Sequence, residues 1–369
     1  MIKLSLCMIV KDEESVLERC LASATGAGAE GENPIDEIVI ADTGSSDGTK
    51  AIAAAFGAKI YDFAWRDDFS AARNFSFSKA TGDYILWLDA DDFIADEARK
   101  RLFALKKQLF LSKAPAAFCR YEIAASPSPA APTATAFYRT RIVKNDGSAV
   151  WSGRVHECLP RFQNALNEPE NGFYVRHLGS EKPRGTRNLD IYRAQIFAGE
   201  PLSPRDLFYY GRELFYHGFY TEADAIEQKF IACPDGWYVN KIEARKIQSA
   251  CRENSGDIAG AIAALFSSFE YGAPRAGVLC ALGRIFKQKN DFFAAYFWYF
   301  SAYNAFDHSA EGDFENPDER GYIPLAEMVY CSYSAGDTAL AKRWHEECLR
   351  RFPEHATVKH NEAFFKTHE

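Results

Sequence analysis

Three carboxylates within four positions, Asp89-Ala90-Asp91-Asp92, follow directly on the apolar run Ile85-Leu86-Trp87-Leu88. A run that short predicts a buried strand, and it stops where the acids begin. Open α/β sheets bind ligands at the carboxyl ends of their strands. Hard cations such as Mg²⁺ or Mn²⁺ take carboxylate oxygens, commonly one or two from the protein and the rest from water and phosphates. The chemistry on offer is a metal-assisted phosphate site, although the tripeptide alone also describes a polar strand-to-turn transition. Asp42 likewise follows a predicted strand, residues 35–41, and opens the loop Thr43-Gly44-Ser45-Ser46-Asp47-Gly48-Thr49. This loop is not a Walker cradle, because Thr49 stands where GxxxxGK[ST] requires glycine, and no GxGxxG follows any strand. Alone it describes a strand-to-helix turn with Ser46 or Asp47 as N-cap.

The elements that must position these acids alternate along the first half. Residues 4–10, 35–41 and 58–63 predict strands. Residues 12–24 predict a helix with Val16, Leu17, Cys20, Leu21 and Ala24 on one face and acids in its first turn, where the dipole favours them. Residues 50–56 predict a second helix, stopped by Gly57, and residues 70–80 a third, with Ser70 as N-cap and Gly82 just beyond its end. Such alternation implies a largely parallel, doubly wound α/β sheet whose carboxyl edge gathers Asp12, Asp42 and Asp89. A helix from Asp96 follows, then strands at 116–123, 137–144 and 173–177. Ser126-Pro127-Ser128-Pro129-Ala130-Ala131-Pro132 cannot lie inside a sheet and predicts a mobile loop.

Composition narrows the partners. The 369 residues, 47% of them hydrophobic, suffice for two or three cored domains. A net charge of −8 favours neither nucleic acid nor an anionic membrane. Nine scattered cysteines without a CxxC pair suit reduced thiols better than disulfides or zinc. The amino terminus reaches Lys11-Asp12-Glu13-Glu14 too early for a signal peptide, and no stretch has the apolar length of a membrane span. A cytoplasmic protein is expected; homo-oligomerisation is left open.

Four segments in order carry a resemblance: Leu6-Cys7-Met8-Ile9-Val10-Lys11-Asp12-Glu13-Glu14, Ile40-Ala41-Asp42-Thr43-Gly44-Ser45-Ser46-Asp47-Gly48-Thr49, Phe69-Ser70-Ala71-Ala72-Arg73-Asn74 and Trp87-Leu88-Asp89-Ala90-Asp91-Asp92. Together they resemble the signatures of family 2 glycosyltransferases of the GT-A fold, with Asp12 standing where many relatives have Asn. The resemblance implies that Asp42 binds the nucleotide base, Arg73 the nucleotide or diphosphate, and Asp89 the ribose or the metal. It implies that Asp91 coordinates a divalent ion bridging the two phosphates, and that His177 can complete the metal shell. Similar transferases also carry a segment like Trp151-Ser152-Gly153-Arg154-Val155-His156-Glu157. Inverting transfer needs a base to deprotonate the acceptor, which marks Glu157, with His156 as alternative base or shaping residue. A local His–Glu hydrogen bond is the plainer alternative, as a salt bridge with Asp67 or Asp68 is for Arg73. Lys182, Arg184 and Arg187 lie in a loop suited to folding over the diphosphate or to serving as a solvated linker.

From Asp206 onward the period is helical throughout. Gly218-Phe219-Tyr220-Thr221-Glu222-Ala223, Gly256-Asp257-Ile258-Ala259-Gly260-Ala261, Asn290-Asp291-Phe292-Phe293-Ala294-Ala295 and Gly336-Asp337-Thr338-Ala339-Leu340-Ala341 align, their starts 38, 34 and 46 residues apart. Small residues let paired helices approach and the leading residue supplies a left-handed cap. This half resembles tetratricopeptide-like repeats, whose period is about 34 residues. The expected domains are 1–187, catalytic, and 188–369, helical repeats. The pairing resembles bacterial transferases that modify peptides, including the sublancin-type cysteine glycosyltransferases. It implies a nucleotide-sugar donor, Mg²⁺ or Mn²⁺, and a peptide, protein or saccharide acceptor. Two other readings stay open. In one, Asp89 and Asp91 act as nucleophile and acid/base of a haloacid-dehalogenase-like phosphatase; in the other, the repeats form a scaffold on an inactive transferase.

Overall fold

The computed structural model describes residues 2–27, 33–179, 185–308 and 316–367. Lys182 and Arg184 lie outside them. The chain divides into two compact units, Met1–Gly199 and Glu200–Glu369. The break falls twelve residues beyond the expected 187/188 boundary. Gly199, at φ +74°, closes the last helix of the first unit, and Pro201 cannot extend it.

In the first unit β1 (Leu4–Val10) leads through α1 (Leu17–Thr25) to β2 (Glu37–Asp42), α2 (Thr49–Ala55), β3 (Lys59–Asp62), α3 (Phe69–Lys79) and β4 (Tyr84–Trp87). These four strands lie parallel in the order β3-β2-β1-β4, the doubly wound part of the expectation. The sheet then turns mixed. After β5 (Asp92–Phe93) and α4 (Asp96–Ser112), β6 (Ala116–Ala124) and β7 (Thr133–Lys144) form a hairpin, and β7 also runs antiparallel to β4. A connection that short can only join antiparallel neighbours. Its loop is tied down, because Arg176 donates to the carbonyls of Pro129 and Ala131, both at 2.6 Å. β8 (Leu166–Asn167) and β9 (Tyr174–His177) pair with β6, β9 with β5 as well, and α5 (Arg187–Phe197) ends the unit.

Side chains alternate across β1 and β4 as the pleat requires. Leu4, Leu6, Met8 and Leu86 join one buried cluster with α1 and α4, while Cys7, Ile85 and Trp87 join Val143 and Trp151 on the opposite face.

The second unit holds α6 (Pro204–Tyr216), α7 (Tyr220–Ile231), α8 (Tyr238–Asn254), α9 (Ile258–Ser267), α10 (Ala276–Gln288), α11 (Phe292–Tyr303), α12 (Tyr322–Ser334), α13 (Thr338–Arg351) and α14 (Ala356–Thr367). The four aligned segments are the turns of four helix pairs, α6–α7 to α12–α13. Gly218, Gly256, Asn290 and Gly336 sit at φ +80°, +83°, +59° and +88°. The four closing alanines are fully buried. Asp257, Asp291 and Asp337 each cap the second helix of a pair by accepting from the backbone three residues on.

Candidate active site

Two loops at the carboxyl edge of β1 and β2 are stitched together. Asp12 departs from the expected helix start: it holds φ +52°, and α1 begins only at Leu17. The backbone amides of Asp12, Glu13 and Glu14 donate instead to Ser45 Oγ, Thr49 Oγ1 and Asp47 Oδ2. Asp12 and Glu14 return carboxylate oxygens to the amides of Ser46 and Gly48. The acids expected to complement a helix dipole thus shape a loop. The N-cap position of α2 is Gly48 rather than Ser46 or Asp47, although Asp47 Oδ1 accepts from the Thr49 amide.

Asp42 ends β2 with one oxygen, Oδ1, accepting from the Gly44 and Ser45 amides at 3.0 and 2.8 Å. Gly44 follows this turn at φ +110°, a conformation that L side chains rarely adopt. Burial would raise the Asp42 pKa, but the hydrogen bonds from Ser45 and Gly44 and the Lys50 charge hold it below the usual range. Its Oδ2 is buried and accepts no hydrogen bond among the described residues.

α3 carries the centre of the site. Its N-cap is Asp68, which accepts from the Ala71 amide, so Ser70 lies inside the helix and bonds Asp68 instead. Arg73, 7% exposed, sends Nη2 to Asp89 Oδ1 at 2.7 Å and Nε to Glu157 Oε1 at 2.5 Å. Asp67 and Asp68 are therefore not its partners. Its guanidinium carbon lies 4.9 Å from the ring of Trp87 and 4.9 Å from that of Trp151. Asn74 clamps the backbone of Trp151, donating to its carbonyl at 2.9 Å and accepting from its amide at 2.8 Å. Two adjacent residues of one helix thus deliver the segment that ends in Glu157.

That segment is a closed turn. Ser152 and Cys158 exchange two backbone hydrogen bonds of 3.0 Å, with Gly153 at φ +92° and His156 at φ +51° between them. Glu157 leaves Oε1 to Arg73, while no described residue bonds Oε2. His156, the alternative to Glu157, lies beside it in this turn.

Beyond β4 the three acids separate in role. Burial works against the Asp89 charge, but Arg73 and Arg141 hold its carboxyl well below the usual range. Asp92 is fully buried: Oδ2 takes Arg141 Nη1 at 3.1 Å and the Asp89 amide at 3.0 Å, and Oδ1 takes the Tyr121 hydroxyl at 2.9 Å. Asp91 stays partly open. Burial first, then repulsion from Asp89 and Asp92, pushes its pKa up to about 6 against the pull of His177. His177 Nδ1 lies 3.4 Å from Asp91 Oδ1 and 3.3 Å from Asp92 Oδ1. Burial opposes its charge, yet the hydrogen bond to Asp92 and the Asp91 charge raise its pKa.

Asp91, Asp92 and His177 are a group whose ligand atoms all lie within 4.8 Å of one another. Asp89, implied above as a ribose or metal ligand, is not in this group; its Oδ1 takes Arg73. The donor set fits a divalent cation: two carboxylates and an imidazole crowd together, and burial and the neighbouring acids leave Asp91 holding a proton more tightly than usual. Arg141, which the sequence reading passed over, sits fully buried between Trp87 and Tyr121, 3.9 and 4.0 Å from their rings. The period-two placing of Arg139 and Arg141 on a strand was the signal available for it.

Residues 5–109 match the family model described as Glycosyl transferase family 2. The first unit carries a family 2 glycosyltransferase domain. That GT-A-like domain stands ahead of tetratricopeptide-like repeats, a pairing reflected in two kinds of relative. One is a TPR repeat-containing protein of Synechococcus elongatus, 51% identical over 27% of this chain and 23% of its own length. The other is the SPbeta prophage-derived glycosyltransferase SunS of Bacillus subtilis, 27% identical over 56% of this chain and 48% of its own. The chain thus spans less than half the length of either. Among solved structures, TarS of S. aureus aligns with a TM-score of 0.40 at 14% identity, over 70% of this chain and 54% of that one. No described helix is long and apolar enough to cross a membrane.

Proposed function

We propose that the protein is an inverting, divalent-metal-dependent glycosyltransferase that moves a sugar from a nucleoside diphosphate sugar, a UDP-sugar first, to a peptide, protein or saccharide acceptor. The observation that carries this reading is the junction at Arg73, where one guanidinium joins the acid after β4, Asp89, to the acid of the 151–157 turn, Glu157. Carboxylates from the donor side and the acceptor side are thereby held at a fixed separation, as in-line displacement requires.

Asp42 Oδ2, buried without a hydrogen bond, suits an N–H donor of a pyrimidine base. Asp91 and His177, with Asp92 behind them, would hold a divalent ion, which when bound supplies Lewis-acid stabilisation of the leaving diphosphate. Glu157 Oε2 would take the acceptor proton as the new bond to the anomeric carbon forms and the bond to the diphosphate breaks. Arg73 fixes Glu157 through its other oxygen. Nine cysteines, all free, agree with a reducing compartment. Peptide and protein acceptors, implied by the resemblance to peptide-modifying transferases, are the first to try.

The test is a panel of UDP- and GDP-sugars with Mn²⁺ or Mg²⁺, with hydrolysis and transfer to peptides and saccharides as readouts. Metal-dependent turnover of at least one donor, lost in Asp91→Asn, is expected. Absence of binding and turnover with every donor would sink the proposal, and undiminished biological activity of Asp91→Asn would make the repeat scaffold the better account.

A further inference from the structure

Three arginines converge on one indole. The guanidinium carbons of Arg73, Arg139 and Arg141 lie 4.9, 5.0 and 3.9 Å from the Trp87 ring. Two are neutralised: Arg73 by Asp89 and Glu157, Arg141 by Asp92. Arg139 forms neither an ion pair nor a hydrogen bond through its side chain among the described residues. It rests between rings instead, with Tyr121 at 5.5 Å. Arg141 has Nε and Nη2 sealed from solvent, whereas Arg139 is only half-buried and no nitrogen of it is sealed in this way.

Its place along the sheet is set by register. β4 and β7 pair Tyr84 with Lys144, Ile85 with Val143 and Leu86 with Ile142. Beyond that ladder β7 is irregular against β6 at Arg141, and Arg139, two residues farther on, lies close enough to Asp89 for the two charges to act on each other, at the carboxyl edge where the acids gather. Trp87 Nε1 donates to the Thr140 carbonyl at 2.8 Å, which keeps the two strands adjacent there.

An arginine that serves the fold has acids or carbonyls to bond. Arg139 is held without them, and its pKa is lowered by burial and by the like charges of Arg141 and Arg73. A charge kept half-buried and unpaired weakens the empty protein, and the natural counterpart of such a charge is the ligand. Arg73, which the sequence motif designates for the phosphates, has Nε and Nη2 already committed to carboxylates.

We propose that Arg139 is the anion-binding arginine of the donor site, presenting its guanidinium fork to phosphoryl oxygens of the nucleoside diphosphate. This rests on the nucleotide-sugar reading and assigns Arg73 to positioning Asp89 and Glu157. The planar fork matches two phosphoryl oxygens at once, and the aromatic walls exclude the water that would otherwise weaken the contact.

The test compares wild type, Arg139→Met and Arg139→Lys by calorimetric titration with UDP, inorganic pyrophosphate and uridine in the presence of Mn²⁺, with the melting temperature of each ligand-free protein. Arg139→Met is expected to weaken UDP and pyrophosphate by about 10- to 100-fold, the loss of a charge-assisted pair. Uridine binding stays as in wild type, Arg139→Lys recovers part of the UDP affinity, and the ligand-free melting temperature of Arg139→Met is unchanged or higher. UDP affinity of Arg139→Met equal to wild type overturns the proposal while leaving the donor reading intact. An equal loss for uridine and UDP, or a collapse of the ligand-free fold in both variants, overturns it too by assigning Arg139 to the core. Wild type that binds neither UDP nor GDP overturns the donor reading, and this proposal with it.

Discussion

Asp91 differs from its neighbours in having no cation of its own beyond His177, and its chemistry follows from that. Its folded-state pKa of about 6 lies above the ordinary 3.8, so the folded protein binds this proton more tightly than the unfolded chain does. Stability of the metal-free protein from this group is therefore present at low pH and lost as pH rises between those values; the raised His177 acts in the same sense. A divalent ion must displace the proton. The stabilisation by Mn²⁺, measured as a shift in melting temperature, should be large at pH 7.5, small at pH 5, and absent at both in Asp91→Asn. Equal shifts at the two pH values would remove Asp91 from the metal site. Glu157 has a separate signature. Glu157→Gln keeps the shape and a hydrogen-bonding oxygen for Arg73 but cannot accept a proton, so transfer should fall by about 10²- to 10⁴-fold with UDP affinity retained. A rate within a few-fold of wild type would pass the base role to another group.

At the level of elements, α3 does more than flank the sheet. Asn74 fixes the entry to the 151–157 turn through both backbone groups of Trp151, and Asn74→Ala removes two hydrogen bonds from a partly buried backbone. A stability loss of about 1–3 kcal/mol is expected, measured by urea denaturation. A larger relative loss of turnover than Ala substitution of the cap Asp257 should accompany it, since Asp257 holds only a repeat helix. The strands of this edge were legible because short apolar runs stop at charge: β1 was anticipated to the residue, and β2 and β4 within two at each end. Helix starts were less so. Asp12 and Glu14 look like first-turn acids, yet their bonding partners lie more than thirty residues away in the Ser45–Gly48 stretch, and nothing local reveals that. The strand at 137–144 was anticipated, but its antiparallel place beside β4, which brings Arg139 and Arg141 to the site, was equally hidden. Asp92 is buried because Tyr121 and Arg141 reach it from strands 29 and 49 residues on, which nothing local reveals.

For the molecule as a whole, the repeat half was legible from its turns alone, since a left-handed residue and a buried alanine recur where helices must approach. The boundary was not, because α5 has helical character but belongs to the sheet-bearing unit. Phe197, the last residue of α5, is 95% exposed beside the break. Brief chymotrypsin treatment should cut there first and leave two resistant fragments, with UDP binding in the amino-terminal one. Scattered cleavage without stable fragments, followed by mass spectrometry, would contradict two independently cored units.

Trp87 and Trp151 pack edge to face at 4.8 Å with Arg73 against both rings. Only six tryptophans occur in the chain, and these two are almost fully buried at the site. The stack therefore makes the protein its own optical indicator. Any ligand that redraws the charge around Arg73 alters the emission of two indoles whose surroundings are otherwise dry and fixed. Donor titration should change tryptophan fluorescence in wild type and far less in Trp87→Phe, so that occupancy can be followed by light before the acceptor is known.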